Sequence, residues 1–195
     1  MPDFSAFVLA GGRSSRMGSD KVFLEFNGRT LLARALDLLH RLTPEVRIVG
    51  PAAKFAAYAP VVEDIYNGRG PLAGIHAALA SSASELNLML AVDLPLVTEP
   101  LLQFIVERAR ASNAVVIVPR IAGGYQPLCA VYRRAFAPLA QAALDSGKNK
   151  IDALFSATNT RVLEESELQQ FAFHAAMFEN LNTPEDLRRA AAEKS

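Results

Sequence analysis

Short apolar runs alternate along this chain with stretches whose apolar positions recur at helical spacing. Runs of strand length cover residues 4–9, 22–26, 46–49, 61–62, 86–92, 114–118 and 128–132. Helical spacing covers residues 31–42, 71–83, 99–111, 135–144 and 184–193. Strands that alternate with helices indicate βαβ units and a mostly parallel sheet. The pattern therefore predicts an α/β fold in one domain over residues 1–195, because no linker or internal repeat is visible.

Capping and turn residues place the ends of several predicted elements. Thr30 and Thr98 each stand just before a helical pattern, where a hydroxyl group can cap free N–H groups. Pro71 suits the first turn of a helix, and Asn27-Gly28 is typical of a tight turn. The run over 86–92 is the most apolar, so we predict that it is the central strand.

A glycine-rich, basic loop follows the first predicted strand. Gly11 and Gly12 let backbone N–H groups approach an anion without a Cβ in the way. Arg13, Arg16 and Lys21 can then neutralise the charge of a polyphosphate. The loop matches neither of the two common phosphate-loop patterns. A strand, two glycines and three cations close together nevertheless favour phosphate binding over a surface turn with solvated charges.

Two carboxylates are expected at the same edge of the sheet, since ligands of open α/β sheets gather at the carboxyl ends of strands. Asp93 ends the most apolar run, and a carboxylate with apolar neighbours needs a metal, a cation or backbone donors. We favour a magnesium ligand over a cap for the next helix, because Thr98 stands nearer that helix. For Asp64 the local sequence favours neither of two roles, a contact with the nucleotide or a solvated carboxylate in a loop.

The second half of the chain offers polar side chains for a second substrate. Asn180 and Asn182 share one face if residues 178–182 are extended, so both amides can point into the crevice. The Thr-Pro pair that follows them is typical of a helix start, so a capping turn is an alternative role. Lys150 can receive a terminal phosphate, although exposed lysines are usually only solvated.

Composition excludes several other functions. The chain has 20 basic and 20 acidic residues and no net charge, so a dedicated nucleic-acid binder is not expected. Cys129 is the only cysteine, which excludes an internal disulfide and indicates a reducing compartment. We find no signal-peptide pattern and no apolar span long enough for a bilayer. These features predict a cytoplasmic protein that does not use a membrane.

The glycine-rich loop also resembles a longer signature. Residues 9–21 are similar to the pattern L-A-[GA]-G-x-S-x-R-M-G-x-D-K of nucleotidyltransferases that activate small metabolites. With glycine at position 11, the loop resembles the molybdenum cofactor guanylyltransferase family. Residues 70–74, 93–95 and 180–187 match further segments of that family, so the resemblance spans the chain.

The resemblance implies a three-layer α/β domain with a Rossmann-like nucleotidyltransferase sheet. It implies transfer of GMP from Mg-GTP to the terminal phosphate of molybdopterin or Mo-molybdopterin, with release of pyrophosphate. Transient contact with molybdenum cofactor delivery proteins is compatible with that activity. The nucleotide-binding positions carried over from the family are Leu9, Ala10, Gly11, Gly12, Lys21, Asp64 and Asp93.

The remaining roles divide between catalysis and the acceptor. Arg16, Lys21 and Asp93 are expected to be catalytic, with Asp93 binding Mg²⁺ and the two cations offsetting charge on the leaving pyrophosphate. Asn180, Asn182 and Lys150 are expected to meet the second substrate.

Two positions bear on the choice of base. Gly50 stands where family members often have an asparagine that contacts the base or ribose, so one nucleotide contact is missing. Gly11 stands where related cytidylyltransferases tend to carry alanine, which favours GTP. The alternatives are a cytidylyltransferase that acts on molybdopterin or another metabolite, and a nucleotide-binding domain without turnover.

Overall fold

The structure is a computed structural model that describes residues 3–11, 20–66, 68–155 and 159–192. Its strands are β1 (Phe4–Leu9), β2 (Glu25–Phe26), β3 (Arg29–Thr30), β4 (Val46–Val49), β5 (Val61–Val62), β6 (Leu86–Ala91), β7 (Val116–Ile121), β8 (Gly124–Tyr125), β9 (Cys129–Arg133) and β10 (Thr160–Glu164). Its α-helices are α1 (Leu31–His40), α2 (Ala52–Phe55), α3 (Pro71–Ser81), α4 (Glu99–Arg110), α5 (Ala137–Asp145), α6 (Glu165–Gln169) and α7 (Pro184–Ala192). Short 3-10 helices cover Lys21–Phe23, Arg134–Phe136, Asp152–Leu154 and Ala175–Phe178.

One mostly parallel sheet organises these elements, in the strand order β10-β7-β9-β6-β1-β4-β5. Strands β6, β1, β4 and β5 run parallel to one another, and β10 runs parallel to β7. Strand β9 is antiparallel to both of its neighbours, and β8 pairs with the end of β7. Strand β6 lies in the middle, as its apolar sequence predicts. The carboxyl ends of the parallel strands therefore meet at one edge, where the site is built.

The two faces of the sheet are covered by different helices. Because side chains alternate along a strand, Ala6 and Val8 face the layer of α1, α4 and α7, while Phe7 and Leu9 face that of α3 and α5. All six residues of β1 are buried, and so are all six of β6. Burial on both faces explains why these strands are continuous apolar runs rather than alternating ones. The three-layer α/β prediction is confirmed.

The structure corrects the prediction in several places. Residues 22–26 are not one strand, since a 3-10 turn precedes β2, and β2 pairs with β3 across the Asn27-Gly28 turn. Thr30 caps α1 by accepting a hydrogen bond from the N–H of Ala33 at 3.2 Å. Thr98 occupies the N-cap position of α4, but its side chain makes no capping hydrogen bond.

Five strands and α-helices were not predicted, namely β3, α2, β8, β10 and α6. Strand β10 is an edge strand in which only Leu163 is buried, so its apolar signal is weak. Strands β3 and β8 have two residues each, and the two helices have four and five residues. Across the described ranges, none of the helices combines the length and apolar character that a bilayer span requires.

Candidate active site

The backbone that follows β1 forms the floor of the site. Ala10 donates its N–H to the carbonyl of Val49 at 3.1 Å, and the carbonyl of Leu9 accepts from Val92 at 3.2 Å. These bonds continue the sheet to its edge, where Leu9 and Ala10 are buried and Gly11 is exposed. Gly12, Arg13 and Arg16 lie outside the described residues, so their predicted roles remain predictions.

Four polar side chains meet at this edge, and we refer to Lys21, Asp93, Asn180 and Asn182 as the Asp93 cluster. The Nζ of Lys21 donates to Oδ2 of Asp93 at 2.6 Å and to Oδ1 of Asn182. With its amide nitrogen facing the carboxylate, Asn180 donates to both oxygens of Asp93 at 3.2 and 3.3 Å. Sequence analysis placed these residues separately, and the fold brings them into contact.

The backbone around Asn180 and Asn182 is fixed from two sides. The N–H of Leu181 donates to the carbonyl of Asp93 at 2.9 Å, and the Leu181 side chain is fully buried. The carboxylate of Asp186 accepts from the N–H of Asn182 at 3.1 Å and from that of Thr183 at 3.0 Å. These donors lower the pKa of Asp186, the Asn182 backbone contributing most.

The start of α7 forms a capping box that accounts for this rigidity. Thr183 accepts from the N–H of Asp186 at 3.1 Å while Asp186 reaches back to Thr183, so each satisfies free donors at the helix end. The capping-turn alternative and the site role of the two asparagines are therefore compatible, because the same turn presents both amides to Asp93.

Asp64 lies at the same edge with an unsatisfied oxygen. Its Oδ1 is buried and has no hydrogen-bond partner among the described residues. That atom would lie 3.5 Å from a Cβ built on Gly74, which places it against the first turn of α3 near Val49 and Leu9. Burial raises the pKa of Asp64, because the charged form is desolvated without compensation. An acceptor in this state suits a hydroxyl or N–H donor from a ligand.

Asp93 is a carboxylate, which is a type of ligand that magnesium takes in proteins. Mg²⁺ in nucleotide sites takes one or two protein carboxylates and completes its shell with phosphate oxygens and water. Asp93 supplies one carboxylate, and the neighbouring asparagines supply amide groups. No group of three or more His, Cys, Asp or Glu side chains arranged for a metal occurs in the described ranges, so a ligand cage made by the protein alone is not found there.

Comparison with known proteins shows which family this chain belongs to. A family model described as the MobA-like NTP transferase domain matches residues 6–162. The chain belongs to this family. A probable molybdenum cofactor guanylyltransferase of Peptoclostridium acidaminophilum is 33% identical in an alignment of 192 residues that covers 95% of this chain and 87% of that protein. A molybdenum cofactor guanylyltransferase of Desulfosudis oleivorans is 31% identical and is aligned over 98% of this chain and 96% of its own length.

Solved structures agree with this family membership. Molybdopterin-guanine dinucleotide biosynthesis protein A of Archaeoglobus fulgidus is 26% identical, with a TM-score of 0.84 over 97% of this chain and 98% of that one. A 2-C-methyl-D-erythritol 4-phosphate cytidylyltransferase of Thermus thermophilus is 20% identical with a TM-score of 0.69, so it shares the fold. The predictions of a nucleotidyltransferase fold and of the MobA-like family are thus confirmed.

Gly50 is the position at which this MobA-like chain departs from the expected pattern, and the structure explains it. A Cβ at Gly50 would lie 2.7 Å from Cε2 and 3.0 Å from Cδ2 of Phe55. The Phe55 ring is fully buried, so it has no room to retreat. The ring therefore occupies the space that an asparagine side chain would need. Sequence analysis missed Phe55, because α2 has no periodic signal.

Gly11 is different, because the protein itself does not require glycine there. Its φ angle is not among the positive ones, and within the described part of the chain a Cβ there would meet just the Val49 carbonyl oxygen, at 3.8 Å. Alanine at this position is therefore compatible with the described backbone.

Two further contacts were not anticipated and hold the loop that carries Asp64. The hydroxyl of Tyr66 donates to Oδ1 of Asp145 at 2.7 Å, and this hydrogen bond is the main cause of the raised pKa of Tyr66. Arg69 donates to the carbonyl of Leu144 at 2.7 Å. The loop is thereby fastened to the end of α5.

Lys150, beyond that helix, is exposed and makes no hydrogen bond to the Asp93 cluster.

Proposed function

We propose that this protein transfers GMP from Mg-GTP to the terminal phosphate of molybdopterin or Mo-molybdopterin and releases pyrophosphate. The observation that carries the proposal is the contact between Lys21 and Asp93 at the carboxyl edge of the sheet, 2.6 Å apart. The names of relatives that align over nearly the whole chain support guanine as the base and the molybdenum cofactor as the acceptor.

The nucleotide-binding roles follow from charge and hydrogen bonding. The backbone of Leu9, Ala10, Gly11 and Gly12 receives the nucleotide, and Lys21, with Arg16, offsets charge on the triphosphate. Asp64 accepts a hydrogen bond from the ribose or the base, which would satisfy its buried Oδ1. Asn180, Asn182 and Lys150 receive the acceptor.

Asp93 would hold Mg²⁺ through its carboxylate. When bound, the ion supplies positive charge to the phosphates. The ion pair of Lys21 and Asp93 keeps both side chains in place before the substrate arrives, so little reorganisation is needed at the moment of reaction.

The reaction needs positioning rather than a protein nucleophile. An oxygen of the acceptor phosphate forms a bond to the α-phosphorus of GTP, the bond from that phosphorus to the bridging oxygen breaks, and pyrophosphate leaves with the electron pair. Cys129 takes no part, because it is fully buried and burial raises the pKa of its thiol to about 12. We further propose a cytoplasmic location, which suits a free thiol, and transient contact with molybdenum cofactor delivery proteins.

A pyrophosphate-release assay with molybdopterin, Mg²⁺ and each nucleoside triphosphate tests the proposal. We expect turnover with GTP, abolished in Asp93→Asn and retained in Glu179→Gln, an exposed carboxylate near the site in sequence. A preference for CTP would favour the cytidylyltransferase alternative, and nucleotide binding without pyrophosphate release would favour a domain without turnover. Activity of Asp93→Asn near the wild-type level would contradict the role of Asp93.

A further inference from the structure

A cavity of about 400 Å³ lies between α1 and the segment that leads from β6 into α4. This volume is within the range of small-molecule sites, about 300–1,000 Å³. Its apolar lining includes Leu90, Val92, Leu94 and Val97, all of them buried. None of the residues assigned above to nucleotide, metal or acceptor lines it. The cavity is therefore separate from the Asp93 cluster.

Arginines surround this apolar lining. Arg29 pairs with Asp37 at 2.7 Å, and Arg41 approaches Glu99 at 3.7 Å. Arg34, the third arginine of the cavity, has no carboxylate within ion-pair distance among the described residues. Three guanidinium groups thus share two carboxylates, which leaves one positive charge in excess.

Arg34 is also poorly supplied with hydrogen bonds. Among the described residues it makes one, from Nη2 to the carbonyl of Pro95 at the long distance of 3.4 Å, and its buried Nε has no acceptor. The guanidinium lies 4.9 Å from the centre of the Phe26 ring, which supports a cation but accepts no ordinary hydrogen bond. Burial, followed by the charge of Arg29, lowers the pKa of Arg34. An anion in the cavity would relieve both deficits, because it offers lone pairs and negative charge.

We propose that this cavity is a second ligand site, which binds a small organic anion with its acidic group on Arg34 and its apolar body against Leu90, Val92 and Val97. The site goes beyond the proposed transfer reaction and does not depend on it. Val92, Leu94 and Pro95 line the cavity and flank Asp93 in sequence, whereas Asp93 itself is not a lining residue and its carboxylate contacts Lys21.

Titration of the ¹⁵N-labelled full-length protein with 2-naphthoate, benzoate and indole-3-acetate tests the site by NMR. Saturating Mg-GTP is present, so that the nucleotide site is blocked. We expect saturable shifts of the amides of Arg34, Leu90, Val92 and Val97. The neutral 2-naphthamide should bind at least about 10-fold more weakly than 2-naphthoate, because a hydrogen-bonded charge is lost.

Two variants address the head group and the body separately. Arg34→Gln should lower the affinity for 2-naphthoate about 10- to 100-fold. Leu38→Trp, which fills the cavity from α1 and leaves every charge in place, should abolish the shifts. Arg110→Gln removes a surface arginine outside the cavity and should bind like the wild type. Both cavity variants are compared only after their spectra show the native dispersion.

Three results would overturn the proposal. They are no cavity shifts with any of the acids at millimolar concentration, equal affinity of wild type and Arg34→Gln, and binding that Leu38→Trp leaves intact. Because the readout is binding with GTP already present, these results do not depend on whether pyrophosphate is released.

Discussion

Lys21 and Asp93 stand 72 residues apart in sequence, and in the fold Nζ of the lysine lies 2.6 Å from Oδ2 of the aspartate. Both side chains are largely shielded, with exposed fractions of 18% and 21%. Asn182, 161 residues from Lys21, accepts from the same ammonium group. One cation thus joins the N-terminal loop, the central strand and the C-terminal segment at a single point.

This contact makes Lys21 the most informative position for kinetics. Lys21→Ala should lower kcat/KM for GTP by about 30- to 900-fold, which corresponds to roughly 2–4 kcal/mol of transition-state stabilisation by a preorganised charge. Steady-state pyrophosphate release measures the change. Arg110→Ala, which removes an exposed cation, is the control and should be close to wild type. An unchanged kcat/KM for Lys21→Ala would make Lys21 a solvated charge without a catalytic role.

The Asp64 carboxylate should lower the stability of the protein without nucleotide and raise its affinity for GTP. Its native pKa is raised, so its protonated form favours the folded state below the unfolded pKa of about 3.9, and that contribution is lost as the pH rises through the native pKa. Asp64→Asn should therefore be more stable than wild type at pH 7, with a smaller difference near pH 3, when no nucleotide is present.

The Asp64→Asn substitution should also weaken GTP binding, because the charged hydrogen-bond acceptor is lost. Denaturant unfolding at the two pH values and a GTP titration measure both effects. Glu25→Gln, on the exposed residue of β2, should change neither. A variant that is less stable than wild type at pH 7 would mean that the carboxylate has a native partner, against its unsatisfied Oδ1.

Gly50 and Phe55 should be coupled in stability. Gly50→Asn should cost about 1–3 kcal/mol, by overpacking against the ring and by backbone strain at its φ of +158°, and Phe55→Ala should cost about 3–5 kcal/mol by opening a cavity. In the double variant the asparagine has room, so the free energies of unfolding should not add, with a coupling of at least about 1 kcal/mol.

Gly28→Asn is the matched control, because no atom of the described residues lies within 4 Å of a Cβ built there and asparagine tolerates positive φ. Urea unfolding of the three variants and this control measures the cycle. Simple additivity would show that the ring moves aside without cost and that Gly50 is glycine for another reason.

Substitution of Gly11 should change the choice between GTP and CTP without changing the stability of the protein. Since a Cβ at Gly11 meets no described atom nearer than the Val49 oxygen at 3.8 Å, Gly11→Ala should leave the free energy of unfolding within about 0.5 kcal/mol of wild type. We expect kcat/KM to fall much more for GTP than for CTP, because the larger guanine base needs the space beside Gly11 that the added methyl group would occupy. A base whose polar edge no longer matches the hydrogen-bonding groups of the site is rejected strongly. An equal fall for both nucleotides would place Gly11 at the phosphates rather than at the base.

Elements with strong local signals can be predicted from the amino-acid sequence. Strands such as β1 and β6 are buried on both faces, so their apolar runs are unbroken, and helix α1 has both an apolar stripe and the Thr30 cap. The loop over residues 9–21 indicated the family before any contact was known, because its order of glycines and cations is itself specific. Weakly buried elements such as β10 left no such signal.

Which of these segments meet depends on packing in three dimensions. Hydrophobic periodicity records which face of a strand is buried, but it does not record the direction of β9 or the order of strands in the sheet. The tertiary structure likewise decided that Asn180 faces Asp93 and that the Phe55 ring fills the space beside Gly50. These contacts depend on packing between segments distant in the chain, and such packing leaves no periodic trace in either segment alone.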